Sequence, residues 1–268
     1  MSGEVMLRGR RYPYLDVGSG PPLLLFHGWS GASDNFSAWL PSLVGRFRVV
    51  IPDLPGCAGT PRLDEAHTAA AYARFGHELA TAIGLGPSAI GGLCSGACIA
   101  MAFAGAYPDD ATGLLLHTPF IHPGVIRRRM LAQLRLLGSP AGRLYDVLHR
   151  STTLSRIYRR LTDGGDVATE DERRNSRNLA LADPRAAREL ASDVSRRDYR
   201  PFLRSWRRPL CVIVAERDSF VGLAPMRREL GVVAPAARLA VIEGGHGWTP
   251  AYVARQAAAL VAAAETLA

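Results

Sequence analysis

Apolar residues in this chain fall in short unbroken runs separated by turn-forming residues. Leu23-Leu24-Leu25-Phe26, Phe47 to Ile51, Ser88 to Gly92 and Gly113 to His117 succeed one another early, and Leu210 to Ala215 and Leu239 to Ile242 come late. Runs of this kind predict strands buried on both faces. Between them the spacing is helical. Asp34 to Val44 predicts a helix, and so does the alanine-rich Ala66 to Ile83, where Tyr72, Phe75, Leu79 and Ile83 recur at three- and four-residue intervals. Ser95 to Ala106 predicts a small-residue helix, and a final alanine-rich helix starts near Pro250. The turn-rich His27-Gly28-Trp29-Ser30-Gly31 must be loop, as must Pro52-Asp53-Leu54-Pro55-Gly56 with its two prolines. Strands alternating with helices imply a mostly parallel sheet covered on both sides.

The texture changes at Pro119. From there to Arg208 the patterning is helical (Val125 to Leu137, Ala141 to His149, Arg173 to Leu181, Pro184 to Arg196) and no segment predicts a strand. An insertion of roughly 90 residues therefore interrupts the α/β pattern. The expected organisation is a core of residues 1–118 and 209–268 with a helical lid at 119–208, which suits one large domain in a chain of 268 residues. No internal repeat is visible.

Charge sharpens that division. The net charge is +8, and all 32 basic residues are arginine. Between Pro119 and Arg208 there are 20 Arg against 10 Asp plus Glu, a surplus of +10 that exceeds the balance of the whole chain. Such a surplus attracts an acidic partner or substrate, and a solvated helical surface accounts for it as well. No nucleic-acid recognition motif accompanies it, so nucleic acid is not an expected partner. No apolar run approaches the roughly 18 to 20 residues that cross a bilayer, so no membrane span is expected. Met1 to Arg11 carries charges with no apolar stretch behind them, unlike a secretion signal, and a cytoplasmic location is expected.

The four cysteines, Cys57, Cys94, Cys98 and Cys211, are too few and too scattered for a disulfide scaffold, and none has zinc-like spacing. Neither metal nor cofactor is called for, and a reduced thiol is left for catalysis. Gly92-Leu93-Cys94-Ser95-Gly96 sits between a predicted strand and a predicted helix. A nucleophile on such a turn is held in a strained conformation above the sheet edge, and the residues two before and two after must be small. Register selects Cys94, because Ser95 would have Leu93 and Ala97 at the flanking positions. The helix N-terminus favours thiolate and oxyanion charge, and the Ser95 backbone N–H becomes an oxyanion donor. The plainer alternative for Cys94 is a buried small residue at a structural turn. Cys98, one helical turn on, is expected to pack.

These residues resemble the α/β-hydrolase superfamily over nearly the whole chain and in the right order. Leu23 to Trp29 is similar to the family's strand and His-Gly oxyanion loop, Pro52 to Gly56 to its Asp-x-x-Gly turn, and Gly92 to Gly96 to its nucleophile elbow. One departure stands out: most members carry serine where this chain has Cys94. The resemblance implies a mostly parallel, eight-stranded-type sheet flanked by helices, with an inserted helical lid. It also implies that the backbone N–H of Trp29 is the second oxyanion donor, with His27 bracing the loop. The family order of nucleophile, acid and histidine puts the acid at Asp218, after Leu210 to Ala215, with Glu216 as runner-up and a loop-capping role as the plain alternative. A second acid position, after the strand preceding the insertion, has His117-Thr118-Pro119-Phe120 and no carboxylate. His246 follows the last predicted strand among glycines that let a loop carry its imidazole, and is the expected general base.

Cys94, His246 and Asp218 would then form an acyl-cysteine, with Trp29 and Ser95 holding the oxyanion. A thiolate leaves more readily than an alkoxide, which favours thioesters, activated esters and lactones over simple alkyl esters. The expected activity is acyl hydrolysis of a small-molecule substrate, free or presented on CoA or a carrier protein. An acyltransferase or cyclase of natural-product biosynthesis would use the same intermediate, and a non-catalytic binding protein would keep only the fold. Trp206, Phe120, Tyr145, Tyr158 and Phe202 either line an apolar acyl pocket or hold the inserted helices together.

Overall fold

The computed structural model describes residues 2–148, 151, 153, 169–246 and 250–267. Eight strands form one sheet: β1 (Ser2–Leu7), β2 (Arg10–Val17), β3 (Pro22–Phe26), β4 (Arg48–Pro52), β5 (Ser88–Leu93), β6 (Ala111–His117), β7 (Leu210–Arg217) and β8 (Arg238–Gly245). Their spatial order is β1-β2-β4-β3-β5-β6-β7-β8. The pairs β1–β2 and β2–β4 are antiparallel and every other pair is parallel. The sheet is therefore α/β and mostly parallel, as expected. Its two faces explain the unbroken apolar runs. In β3, Leu24 and Phe26 join the cluster containing Tyr72, Phe75, Ile99 and Phe103, while Leu23 and Leu25 join Phe36, Trp39, Leu43 and Leu260 on the other side. Leu23 to Phe26 and the whole of β5 are buried on both faces, so alternation disappears there.

The longer helices are α1 (Ala69–Ala82), α2 (Ser95–Ala106), α3 (Arg128–Leu137), α4 (Thr169–Leu181), α5 (Pro184–Val194), α6 (Leu223–Val233) and α7 (Pro250–Ala264). Between β6 and β7 the described elements are helical, and among the described residues Ile126 there makes an isolated antiparallel bridge to Val221, just past β7.

Several local expectations need correction. The single helix expected over Asp34 to Val44 is two short turns, a 3-10 turn at Ser33–Phe36 and an α turn at Leu40–Leu43. Pro41, which lacks the N–H a continuous helix needs, sits in the first turn of the second piece. Helix α3 begins at Arg128 rather than Val125, after a separate turn at Pro123–Val125. The helix expected from Ala141 is a 3-10 turn at Pro140–Leu144 followed by an α turn at Tyr145–Leu148. The hairpin β1–β2 had no sequence expectation at all. It turns on Arg8 and Gly9, both at positive φ (53° and 74°), the backbone of a tight two-residue hairpin.

Candidate active site

Strand β5 is buried throughout and runs directly into α2, with Cys94 as the joint. Cys94 has φ 54° and ψ −112°, a left-handed conformation uncommon for a side-chain-bearing residue. Its N–H donates to the His117 carbonyl at 2.8 Å, which ties the turn to the end of β6. Both flanking glycines are there for lack of space. A Cβ on Gly92 would run into the Gly96 carbonyl, and one on Gly96 into the Phe26 and His27 carbonyls at the end of β3. The Cys94 side chain is partly exposed. Its apolar setting pushes the thiol pKa up, Cys98 and Asp218 push the same way, and a hydrogen bond from the Ser95 backbone opposes them. This setting therefore favours the protonated thiol.

Asp218 lies just past β7 and is fully buried. Its Oδ1 accepts from the Phe220 and Val221 backbone N–H groups at 2.7 and 3.0 Å. Its Oδ2 accepts from the Thr118 hydroxyl at 2.9 Å and meets His246 Nδ1, also at 2.9 Å. Burial alone would raise the carboxyl pKa; attraction to His246 and the three hydrogen bonds from His246, Val221 and Phe220 outweigh it and hold it at about 2. His246 follows β8, and its ring packs on Phe220 with centroids 3.9 Å apart. Glu216, the runner-up acid, is exposed and pairs with Arg217 at 3.6 Å. The neighbouring Gly247 and Trp248 lie outside the described residues.

Trp29 sits in the loop leaving β3. A Gly31 N–H to Gly28 carbonyl bond of 3.1 Å closes this turn, and Ser30 takes φ 51°. A Cβ on Gly28 would stand 3.3 Å from the Leu93 carbonyl and 3.8 Å from Cys94 Cβ, so the loop abuts the elbow. His27 is fully buried, accepts from the Leu54 N–H at 3.0 Å through Nε2, and has Nδ1 2.9 Å from the Gly28 carbonyl. It thus links this loop to the one after β4. Burial lowers its pKa, which suits the neutral ring this arrangement needs.

The structure therefore brings together the elbow with Cys94 and Ser95, the loop with Trp29, and the Asp218–His246 pair. The aromatic residues divide. Tyr145 lies against Trp29 with ring centroids 5.6 Å apart. Phe202 and Trp206 pack on one another at 5.5 Å, and Phe202 lies near Gly105, at the far end of α2 from Cys94. Phe120 is core, and its carbonyl is 3.8 Å from the buried Cys98 sulfur. Tyr158 lies outside the described residues.

Two contributors had no signal in the sequence. Thr118 closes the second acid position with a hydroxyl instead of a carboxylate, at φ 50° and with its N–H donating to the Ile213 carbonyl at 2.8 Å. His117 is buried, bonded through Nε2 to the Gln256 amide at 2.8 Å, with its ring 6.3 Å from that of His246. Burial first, then the nearby His246, lowers its pKa to about 3, so it is a neutral strut.

Comparison with known proteins agrees with this fold. A family model described as alpha/beta hydrolase fold matches residues 21–247. Lipase 3 of Moraxella sp. (strain TA144) is 36% identical over 117 residues, covering 43% of this chain and 36% of the lipase, so the chain spans little more than a third of that relative's length. The pimeloyl-(acyl-carrier protein) methyl ester esterase of Xanthomonas oryzae pv. oryzae (strain MAFF 311018) is 28% identical over 243 residues, covering 86% of this chain and 89% of the esterase. Among solved structures, bromoperoxidase from Bacillus anthracis superposes with a TM-score of 0.82 at 18% identity, covering 100% of this chain and 99% of that one, a likeness of fold.

Proposed function

The chain belongs to the α/β-hydrolase fold family, and on that premise we propose that it is an acyl hydrolase working through a covalent acyl-cysteine on Cys94. The observation that carries this reading is the Asp218–His246 pair, 2.9 Å between Oδ2 and Nδ1, together with a strained elbow whose partly exposed side chain is a thiol. With Nδ1 committed to Asp218, His246 acts through Nε2 and takes the proton of the Cys94 thiol. The sulfur attacks the acyl carbonyl, and the backbone N–H groups of Trp29 and Ser95 receive the oxyanion. Collapse breaks the bond to the leaving alcohol or thiol, which takes the proton back from His246. Water, deprotonated by the same nitrogen, then hydrolyses the thioester. Asp218 keeps the His246 tautomer fixed and stabilises the imidazolium in each step.

Sulfur at the elbow favours thioesters and activated esters or lactones, because the first tetrahedral intermediate must expel its own leaving group before it expels the thiolate. A carrier-bound or CoA-bound acyl donor is supported by two facts. The Xanthomonas relative is named for a substrate on an acyl-carrier protein, and residues 119–208 carry the chain's arginine surplus. With such a donor the acyl-cysteine stays activated for an amine, hydroxyl or carbon acceptor, which is the acyltransferase or cyclase form of the same chemistry.

The test is intact-mass analysis after mixing the protein with a panel of acyl thioesters and aryl esters. An acyl adduct that maps to Cys94 and is absent from Cys94→Ala and His246→Ala is the expected result. Its decay in water means hydrolysis, and its persistence until an acceptor is added means transfer. No adduct in the wild type, together with full native activity in Cys94→Ala, rules the covalent mechanism out and leaves a binding or non-covalent site.

A further inference from the structure

The loop that carries Trp29 is gripped from the side of the helical segment between β6 and β7. The Trp29 indole N–H donates to the Ala187 carbonyl of α5 at 2.9 Å, and its ring rests against Tyr145. A few residues on, Asp34 accepts from Asn178 and Arg177 of α4 at 2.7 and 2.9 Å, and the buried Asn35 donates to Asn175 at 2.9 Å. Helix α5 is in turn fixed to the core. The Asp183 N–H donates to the Gly56 carbonyl at 2.8 Å, Glu189 pairs with the fully buried His67 at 2.8 Å, and Asp193 accepts from Ala69 at the start of α1 at 2.9 Å. So α5 is a strut, and Trp29 is the residue of the β3 loop that hangs from it.

That loop also needs holding. Ser30, next to Trp29, adopts φ 51°, a conformation that persists only where its surroundings impose it. In the mechanism above the Trp29 N–H faces the elbow; a small rotation of the 28–29 peptide would turn it away, and a misdirected donor stabilises no oxyanion.

We propose that Trp29 is a positioning residue whose indole bond to Ala187 fixes the direction of its own backbone N–H, so that α5 sets the oxyanion hole from outside the sheet. The proposal rests on the acyl-cysteine mechanism above. It assigns the helical segment a part in the chemical step, separate from covering the site or binding the acyl chain.

The experiment compares the wild type with Trp29→Phe, which keeps an aromatic ring and loses the N–H. A second variant replaces Trp29 by the isosteric 3-benzothienylalanine, which keeps the shape should Phe disturb folding. Two rates are measured at Cys94: acylation by aryl esters of three acyl lengths, and alkylation by iodoacetamide, a displacement at carbon that forms no oxyanion. The proposal expects acylation to slow about ten-fold or more at every acyl length, through kcat, with KM and the alkylation rate within about two-fold of wild type. Acylation at the wild-type rate overturns it. So does a KM rise that grows with acyl length, which marks Trp29 as a pocket wall, and so does an equal fall in alkylation, which marks general damage. If the wild type itself forms no acyl adduct, the acyl-cysteine mechanism fails first, so that failure is read separately from that of the positioning role.

Discussion

The two sides of the candidate site are built of different materials. On the Cys94 side, position is set by backbone and by the absence of side chains: Gly92 and Gly96 press on carbonyl groups, Cys94 is bent to φ 54°, and a strand and a helix grip either end. On the Asp218–His246 side, position is set by hydrogen bonds between side chains and loop amides beyond the ends of β7 and β8. The first side should be intolerant of added volume and the second of altered chemistry. Each can therefore be broken in a way that leaves the other standing.

The largest effect is expected from Gly96→Ala. Helix propensity alone would make this change stabilising by about 1 kcal/mol, since Ala is the better helix former. The new methyl group has nowhere to go, because the carbonyls of Phe26 and His27 belong to a central strand and its loop. We expect destabilisation by about 3 kcal/mol, near the upper end for overpacking, and loss of Cys94 acylation. Thermal unfolding beside the acylation assay reads both, and an unchanged or raised midpoint would contradict the packing account.

Asp218→Asn changes chemistry at constant volume. The amide can still accept from Phe220 and Val221 while it presents an N–H to His246 and favours the wrong tautomer. A fall of about 10³- to 10⁴-fold in the acylation rate is expected, with the fold intact by circular dichroism. A loss of only a few-fold would mean that His246 does not depend on Asp218.

The smallest effect, and the finest probe of the acid side, is Thr118→Val. It removes one hydroxyl donor from Asp218 Oδ2 and keeps the branched shape at φ 50°. One hydrogen bond of about 1 kcal/mol corresponds to roughly a five-fold lower kcat, restored by Thr118→Ser. A rate in Thr118→Ser as low as that in Thr118→Val would assign the effect to packing instead.

This contrast also explains what could be read from the sequence. The elbow is contiguous, and its rule concerns size, so Gly92 to Gly96 is visible in one line of residues. Asp218 and His246 are distant in sequence, and their expectation rested on family order at the ends of two recognisable strands. Thr118 escaped because a threonine after a strand has many ordinary uses, and its bond to Asp218 spans 100 residues. The β1–β2 hairpin escaped for another reason. It is an edge ribbon, with Val5 and Leu7 buried but Met6 59% exposed, and its Arg8-Gly9 turn lacks the usual asparagine or aspartate signal. The helix expected over Asp34 to Val44 failed at Pro41, where an apolar pattern of the right period is cut by a residue with no N–H to give.

The staircase of backbone bonds beside the elbow, Cys94 to His117 and Thr118 to Ile213, has a consequence for how the chain is made. Synthesis runs from the N-terminus, so Cys94 leaves the ribosome with β3, β4 and β5 while Asp218 and His246 are still untranslated. At ordinary elongation speeds the delay between Cys94 and His246 is on the order of ten seconds. Through that interval the nascent chain holds Cys94 without His246, and an elbow whose second tier of bonds awaits β7. On the mechanism proposed above, base-assisted acylation is thus acquired late, when the last parallel strands dock, and a chain arrested before them has the thiol without its catalytic partners.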